Sequence, residues 1–581
     1  MDVTGLIAGG SFLITVPTPH EVSTPEDFSE EHRLAARTLT AFLEAEVEPR
    51  TAELETRNFP LMRQLLRKLG GLGFLGVDIP EAYGGSGLDL TTSLLVAETM
   101  SRGSFAVSFG AHTVIGTLPI VYFGTDDQKQ RYLPGLASGD LVGAYALTEP
   151  TAGSDALAAR TRAVLTEDGR QYLLTGTKQF ITNAGFADVF TTYAKVDSDR
   201  FTGFIVDRET DGLVVGPEEH KMGIQGSSTA SLYFDNARVP AGNLLGDVGE
   251  GHRVALNILN LGRLKLGTAC TGAAKRALRH AVTYAKERQQ FGRPIASFGL
   301  VRQKLAEMAV RIYLLESMIY RTGGLIQGAR HVLDRPIKAV EEYAVECAID
   351  KVYGSEAAGF VVDELVQIFG GYGFIEDYPA ARAYRDARIN RIYEGTNEIN
   401  RLLITGMLLR RAQRGRLPLL AAFGSAAEET PPPEAPSPGS EPLADQRRQV
   451  EMAKKACLFV AGLAVRKYGE ALQAHQEVLA RIADLVIEIF AMESGLLRAL
   501  RTLDHGRPAE AKIDLVRTGI TDSLFRVEGL CRQLLAATEE GEGLRTGLAV
   551  VRRFLPDAQP DAIRLRRRIA ERLLDAGAYV A

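Results

Sequence analysis

One β-rich segment, residues 143–245, interrupts a chain whose remaining sequence has helical periodicity. Within it, short runs of β-branched and aromatic residues are separated by turn residues such as Asp168-Gly169 and Asn183-Ala-Gly185. The runs are residues 172–175, 189–193 and 201–206. Such runs between turn signals are typical of strands. The segment is therefore predicted to fold as a small antiparallel β domain between helical domains.

The flanking regions repeat apolar residues at helical spacing. Near the N-terminus these are Leu34, Leu39, Phe42 and Leu43. In the last region an apolar stripe is formed by Ile482, Leu485, Val486, Ile489, Leu496, Leu497 and Leu500. Both patterns predict amphipathic helices. Residues 424–442 are rich in proline and almost lack large apolar residues, which predicts an exposed linker. The predicted domains are residues 1–142 (helical), 143–248 (β), 249–414 (helical), a linker over 415–446 and an additional helical domain over 447–581.

Composition excludes several classes of function. The 67 lysines and arginines against 72 aspartates and glutamates give a net charge of −5, which provides no basic footprint for nucleic acid. The four cysteines are far apart, which excludes a disulfide scaffold and a cysteine-ligated zinc ribbon and fits a reducing compartment. The nine histidines contain no HExxH pair, so no metal site is expected.

No uninterrupted apolar run approaches the ~18 residues of a membrane-spanning helix. The apolar residues near the start follow Asp2, where a signal peptide would carry positive charge. A soluble, cytoplasmic protein is therefore expected.

Two motifs have simpler structural explanations. Residues 71–76 match GxGxxG, but a helical run precedes them where a dinucleotide-binding motif needs a strand, so a turn between helices is predicted. The basic run Arg564, Arg566, Arg567 and Arg568 is interpreted as a solvated helix face, with a lipid- or phosphate-binding patch as the alternative.

Three segments combine residues suited to chemistry. Residues 145–155 supply hydroxyls and a flexible Gly153, which suit phosphate or flavin oxygens, although the same residues also form ordinary loops. Residues 178–183, just after a predicted strand, place Phe180 beside a short donor, as next to a planar cofactor or in a core. In residues 391–401, Gly395 breaks a helix, Thr396 or Asn397 can cap the next one, and Glu394 projects either into a cleft or into solvent.

Taken together, these segments resemble the acyl-CoA dehydrogenase family over nearly the whole chain. Three further runs support the resemblance: residues 287–292 (ERQQFG), 367–373 (QIFGGYG) and 393–396 (YEGT). The helical domain after the linker and residues 259–263 (LNLGR) are similar to the very-long-chain branch.

The resemblance implies a mainly α fold with a central β domain. The expected parts are an N-terminal helical domain, a small β-barrel or sandwich, a C-terminal four-helix bundle and the additional helical domain. The implied activity is FAD-dependent α,β-dehydrogenation of long-chain acyl-CoA thioesters to trans-2-enoyl-CoA in fatty-acid β-oxidation, with electrons passed to electron-transfer flavoprotein. Because the family's FAD site borrows residues from a second subunit, a homodimer or tetramer is expected. The alternatives are an acyl-CoA oxidase and a flavoprotein-like scaffold or assembly factor.

By resemblance, Glu394 matches the catalytic base, which takes the α-proton while the β-hydride passes to flavin. A carboxylate in an apolar cleft has a raised pKa and becomes a better base. Some branches place the base one residue before the position of Arg263, where this chain has Gly262, which cannot serve.

The resemblance also implies binding roles. The residues expected to bind FAD are Tyr145, Leu147, Thr148, Ser154, Phe180, Ile181, Thr182, Arg288, Gln290, Phe291, Gln367, Gly370, Gly371, Thr396 and Glu398. Those expected along the acyl-CoA are Ser154, Asn260, Arg263, Tyr393 and Gly395, with Gly110 and Ala111 at the acyl tail. Small residues at the last two positions favour a deep pocket and long chains. A peripheral membrane contact of the C-terminal domain is a further expectation.

Overall fold

The computed structural model describes residues 6–426, 442–555 and 560–581. The first region is helical, as predicted. Its helices are α1 (Glu30–Phe42), α2 (Thr51–Glu55), α3 (Phe59–Gly71), α4 (Leu90–Thr99), α5 (Gly103–Gly110), α6 (Leu118–Phe123) and α7 (Asp126–Ser138), with π-helical turns at Leu43–Val47 and Ala111–Gly116. Ser29 caps α1, and Leu39, Phe42 and Leu43 are buried. Leu34 is 56 % exposed, so the predicted apolar face was wrong at that position.

The middle region forms one eight-stranded sheet. Its strands are β1 (Gly143–Ala146), β2 (Arg162–Leu165), β3 (Gln171–Thr182), β4 (Val189–Val196), β5 (Arg200–Asp207), β6 (Leu213–Glu218), β7 (Thr229–Pro240) and β8 (Leu244–Leu245). They pair in the order β6-β7-β3-β2-β4-β5-β8, with β1 beside β4. Most strand pairs are antiparallel, as predicted, but β1 and β2 both pair with β4 in parallel, which the prediction missed. Single-sequence strand patterns do not encode which strands become neighbours.

The third region is built on long helices. They are α8 (Gly251–Glu287), α9 (Gly299–Arg330), α10 (Pro336–Glu342), α11 (Ala344–Phe369), α12 (Pro379–Arg388) and α13 (Asn397–Gln413), and a two-stranded ribbon of β9 (Gln289–Gln290) and β10 (Arg293–Pro294) follows α8. Gly267 on α8 and Gly354 on α11 face each other, and a Cβ at either would lie within 3 Å of the other helix's backbone. The two helices therefore pack closely, which brings α11 next to the turn that precedes α13.

The last region adds further helices. They are α14 (Leu419–Ser425), α15 (Ala444–Tyr468), α16 (Gln476–Asp504), α17 (Glu510–Thr538), α18 (Gly541–Phe554) and α19 (Ala562–Ala576). The predicted apolar stripe of α16 is buried throughout. The predicted linker contains α14, and its prolines at 431–438 lie outside the described residues.

The basic run of α19 is only in part a solvated face. Arg566 donates two hydrogen bonds to Asp522, and Arg568 donates to Asp514, both on α17. Arg564 and Arg567 are exposed. Two of the four arginines, Arg566 and Arg568, therefore bind α19 to α17.

In the described part of the chain, the stretch Gly103–Phe123 is long and apolar enough to cross a membrane by length and composition alone. The stretch is not an uninterrupted apolar run, since Ser104, Ser108, His112, Thr113 and Thr117 lie within it. Most of the stretch is buried, and it is divided into α5, a π-helical turn and α6, as in the core of a folded domain.

A buried network of charges joins the additional domain to the rest of the chain. Arg498 on α16 is 3 % exposed and donates to Glu316 on α9 at 2.6 Å and to Glu26 at 2.7 Å. Tyr579 donates to Glu316 at 3.0 Å, and Lys275 on α8 pairs with the same carboxylate. Burial by itself would raise the pKa of Glu316, but the arginine and the lysine hold it down at about 2.

Replacing Arg498 should destabilise the protein strongly. Arg498→Met removes the buried positive charge that Glu316 and Glu26 share, and breaking such a pair typically costs about 3–5 kcal/mol of unfolding free energy. Thermal unfolding measures the effect. The control is Arg545→Met, since the Arg545–Glu542 pair is exposed on both sides and such pairs contribute about 0–1 kcal/mol. Equal melting temperatures for both variants would contradict the prediction.

Candidate active site

A tight turn carries the predicted catalytic carboxylate. Tyr393 to Thr396 connect the short 3₁₀ turn Ile389–Arg391 to α13, and Thr396 caps α13 by accepting a hydrogen bond from the Ile399 amide. Glu394 and Gly395 both have left-handed backbone conformations, with φ of 56° and 79°. Such a conformation is unfavourable for a glutamate and persists only where the surroundings enforce it.

Buried polar groups enforce this turn. Lys351 on α11 donates to the Gly395 carbonyl at 2.7 Å and to the Asn397 side chain at 2.8 Å. Asn400 donates to the same carbonyl at 2.8 Å, and Arg263 donates to the Glu394 carbonyl at 3.2 Å. The carbonyls that a left-handed turn leaves without helical partners are thus satisfied by side chains from three helices.

The Glu394 carboxylate lies against Gly262 on α8. A Cβ built at Gly262 would collide with Oε2 of Glu394, so this position must be glycine for the carboxylate to occupy its place. Oε2 is inaccessible to solvent and has no hydrogen-bond partner among the described residues. Burial raises the pKa of Glu394 to about 7, although the nearby charges of Arg263 and Lys351 lower it. The alternative of a solvent-exposed glutamate is excluded.

A cavity of about 280 Å³ opens beside this carboxylate. Gly262, Tyr393, Glu394 and Thr182 line it at one end, and its walls come mainly from apolar residues of α4, α5 and α8. Gly110 and Ala111 line it as well, and a Cβ at Gly110 would meet no atom within 4 Å. The predicted base and the predicted acyl-tail residues therefore border one space.

The two predicted cofactor segments meet at the ends of β1 and β3. The Gln179 amide donates to the Thr148 carbonyl at 2.8 Å, and buried Lys178 donates to the Leu147 carbonyl at 3.2 Å and to Glu149 at 2.7 Å. Residues 178–182 belong to β3, so the prediction that they follow the strand was wrong. A register shift between Lys178 and Ile181 distorts the strand at this point.

This surface suits a planar, polar cofactor. Phe180 has a left-handed φ of 59° and a side chain that is 58 % exposed, so it is not a core phenylalanine. Thr182, two residues later, lines the cavity that contains Glu394. Tyr145 is buried, and its hydroxyl has no hydrogen-bond partner among the described residues. An exposed ring and the unpartnered Tyr145 hydroxyl fit the flavin that the family resemblance implies. Ile181 is buried behind this surface, and Ser154 lies exposed in the loop after β1.

A third predicted set lies far from Glu394. Its members are exposed and come from the end of α8 and the end of α11: Arg288, Gln290, Phe291, Gln367, Gly370 and Gly371. Arg288 lies over the Tyr372 ring at 5.4 Å, which brings the two segments together. Since α8 rises about 1.5 Å per residue, its end at Glu287 lies ~38 Å from Gly262. These residues cannot reach a cofactor beside Glu394 of the same chain.

Of the remaining predicted site residues, Asn260 lies in the buried site around Glu394, whereas Glu398 is exposed to solvent. Asn260 is buried and its side-chain oxygen accepts from Arg263 at 2.8 Å, so it orients the arginine that holds the turn. Glu398 is exposed in the first turn of α13, and hydrogen bonds to its own backbone amide and to Thr396 lower its pKa. The sequence analysis missed Lys351, Asn400 and the Lys178–Glu149 pair. Asn400 lies within the segment 391–401, which the sequence analysis singled out, but no residue near Lys351 in the sequence indicates its role.

Models of four protein-family domains match the chain. They are the N-terminal domain (residues 29–140), the middle domain (144–237) and the C-terminal domain (249–409) of acyl-CoA dehydrogenases, and a second acyl-CoA dehydrogenase C-terminal domain (452–553). Together these matches extend over most of the chain.

Individual relatives agree with these matches. A probable acyl-CoA dehydrogenase of Bacillus subtilis is 47 % identical over 98 % of both chains. The human mitochondrial very long-chain specific acyl-CoA dehydrogenase is 37 % identical over 81 % of this chain and 76 % of its own. The crystal structure of an acyl-CoA dehydrogenase complexed with FAD from Bacillus anthracis superposes with a TM-score of 0.97, at 46 % identity, over 99 % of this chain and 100 % of that one.

Lys351 should set the pH at which Glu394 acts. Its positive charge opposes the effect of burial and lowers the pKa of Glu394, so Lys351→Met should raise that pKa and leave the base protonated at neutral pH. With an acyl-CoA substrate, the acid limb of the pH–rate profile should move to higher pH. Lys286→Met, at an exposed lysine near the end of α8, is the control. A uniform loss of rate with an unmoved acid limb would show that Lys351 is only structural.

Proposed function

Because this chain belongs to the acyl-CoA dehydrogenase family, we propose that it oxidises long-chain acyl-CoA thioesters to trans-2-enoyl-CoA in fatty-acid β-oxidation. The enzyme class and the use of FAD follow from the family. What we propose beyond the family is the preference for long acyl chains and the role in fatty-acid β-oxidation. The observation that carries it is the Glu394 carboxylate, which is buried, unpartnered among the described residues and placed at the end of an apolar cavity.

Glu394 takes the α-proton of the acyl thioester. A pKa of about 7 matches a general base that works near neutral pH, because the base is then partly ionised and still gains a proton readily. The proton neutralises the carboxylate, which relieves the cost of a buried charge. Gly262 leaves the space that the carboxylate needs.

The chain also offers a donor for the thioester carbonyl, which gains negative charge as the α-proton leaves. The Glu394 amide donates to no acceptor among the described residues, and it lies in the turn that presents the base. One such fixed donor is worth about 3 kcal/mol of activation free energy. Bound FAD would supply the acceptor for the β-hydrogen and its electron pair. Phe180, Thr182 and Tyr145 are the residues that would hold its ring system.

The proposed electron acceptor is electron-transfer flavoprotein, with an oxidase that uses oxygen as the alternative. The proposed assembly is a homodimer or a larger oligomer. It is supported by the exposed set around Arg288 and Gln367, which lies too far from Glu394 of its own chain to serve the same cofactor. Equilibrium sedimentation tests the assembly.

A cytoplasmic location is also proposed, and cell fractionation tests it. A peripheral membrane contact loses part of its support, because Arg566 and Arg568 are paired with aspartates of α17. Sedimentation with anionic vesicles would show whether the exposed Arg564 and Arg567 suffice.

Removing the base should stop the reaction at its first step. In anaerobic mixtures, palmitoyl-CoA should bleach the bound flavin of the wild-type enzyme rapidly and that of Glu394→Gln at least ~100-fold more slowly, since glutamine cannot accept the proton. Glu167→Gln, at an exposed position after β2, is the control.

Equal bleaching of the wild type and Glu394→Gln would remove Glu394 as the base. A protein that stays colourless after incubation with FAD would favour a scaffold. Peroxide formed under air during turnover would favour the oxidase.

Filling the cavity at Gly110 should shorten the accepted chain. Leucine fits the helical backbone at this position and would extend into open space, so Gly110→Leu should lower kcat/KM about tenfold or more for C16 acyl-CoA and spare C6 acyl-CoA. Gly328→Leu, at an exposed glycine of α9 that also has no neighbour within 4 Å, is the control. A wild-type optimum at C4 to C6 would contradict the long-chain proposal.

A further inference from the structure

The cavity beside Glu394 continues along α8 far beyond the base. One face of that helix lines it at successive turns through Gly262, Leu266, Ala269, Ala273, Arg276 and His280. Since α8 rises about 1.5 Å per residue, Arg276 lies ~21 Å from Gly262. The predicted CoA residues Asn260 and Arg263 lie at the Gly262 end, so the Arg276 end is the one that a long acyl tail would reach.

Helix α12 also lines the cavity, through Pro379, Arg382, Ala383, Asp386 and Ala387. Glu394, which follows α12, borders the cavity next to Gly262, and Pro379 and Arg382 at the start of α12 border it as well. Arg276 and Arg382 line the same cavity, and the pKa of Arg276 is lowered by burial and by the charges of Arg102, Arg279 and Arg382, so we assign Arg382 to the Arg276 end. Arg102, in the loop between α4 and α5, lines the same end.

Among the residues that line the cavity at this far end, three are arginines and one, Asp386, is a carboxylate. Glu48 pairs with Arg102 at 2.6 Å and with Arg276 at 3.4 Å, so one carboxylate serves two arginines. Within residues 6–426, 442–555 and 560–581, Arg382 has no hydrogen bond and no ion pair within 4 Å, although its charge acts on Asp386 of the same helix. His280 has its pKa lowered to about 4 by burial and the neighbouring arginines, so it is neutral at pH 7.

The other acidic groups near this end have partners of their own. Asp386 accepts a hydrogen bond from the Ile224 amide, and burial raises its pKa to about 6. Glu55 accepts from the Ser104 hydroxyl and the Gly226 amide. They therefore neutralise the arginines only in part. A methyl-ended acyl chain has no group that could use this charge.

We propose that the far end of the cavity binds the carboxylate of long dicarboxylic acyl chains, whose other end is the thioester. Arg382 and Arg276 would donate charge-assisted hydrogen bonds to this ω-carboxylate. The ~21 Å from Gly262 to Arg276 corresponds to an extended chain of roughly 16 carbons, because each C–C bond of about 1.5 Å advances such a chain by about 1.3 Å. This inference rests on the proposed long-chain acyl-CoA oxidation and adds a second substrate class to it.

The test compares plain and ω-carboxylated substrates of two lengths. With the full-length FAD-loaded enzyme, the ratio of kcat/KM for the ω-carboxylated over the plain acyl-CoA should be near or above one at C16. At C8 the carboxylate would stop among apolar residues, so the ratio should fall at least tenfold below its C16 value. A C16 ratio as low as the C8 ratio would overturn the proposal.

Two substitutions test whether the C16 ratio of kcat/KM depends on Arg382. Arg382→Met should lower the C16 ratio about tenfold, which is the usual worth of one charge-assisted hydrogen bond. Arg388→Met, at an exposed arginine of the same helix, should leave the ratio unchanged. Equal losses for both C16 substrates in Arg382→Met would show that the arginine binds CoA phosphates or only supports the fold, and would overturn the proposal.

Failure of the proposed long-chain acyl-CoA oxidation would give a different result from failure of the ω-carboxylate site alone. If the enzyme oxidised neither C16 substrate, the long-chain proposal itself would fail. If it oxidised palmitoyl-CoA but discriminated against the C16 ω-carboxylate as strongly as against the C8 one, only the site at Arg276 and Arg382 would fail. Equilibrium binding of both C16 substrates to Glu394→Gln gives the same comparison without turnover.

Discussion

The contact between the Glu394 carboxylate and Gly262 is the constraint on which the site depends. It requires a glutamate in a left-handed turn, and that turn is held by Lys351, Asn400 and Arg263. It also requires that the facing residue of α8 has no side chain. Because the carboxylate is buried with its Oε2 unpartnered among the described residues, its charged form is disfavoured. The same burial that destabilises the ion raises its basicity, as the proposed proton abstraction needs.

Helix α8 extends from the cavity beside Glu394, past the buried charge network, to the exposed residues around Arg288. Its residues from Gly262 to His280 border the cavity, its Lys275 reaches the buried Glu316, and its far end leads to the exposed Arg288. A continuous helix of this length is rigid on the scale of a substrate. It therefore fixes the distance from Glu394 to the far end of the cavity, and it also separates Glu394 from the residues expected to face a second subunit.

The additional C-terminal helices are attached through buried charges as well as apolar packing. Arg498 on α16 satisfies two carboxylates from different parts of the chain, and Lys454 and Arg321 share Glu493. Such pairs stabilise less than apolar packing of the same volume, but each is costly to break. The network therefore specifies how α16 sits against α9 more than it contributes net stability.

The sequence by itself determined the succession of helical, β and helical regions and the turn at Gly395, since periodicity and helix breakers are local properties, whereas the choice of Glu394 came from the family resemblance. The resemblance named the family, which the comparisons confirm. Only the tertiary structure decided that β1 and β2 pair with β4 in parallel, that Phe180 lies within a strand yet is exposed, and that Lys351 holds the catalytic turn. Strand partners and buried ion contacts join residues tens to hundreds of positions apart, and their energies depend on burial and distance, which no local pattern of residues encodes.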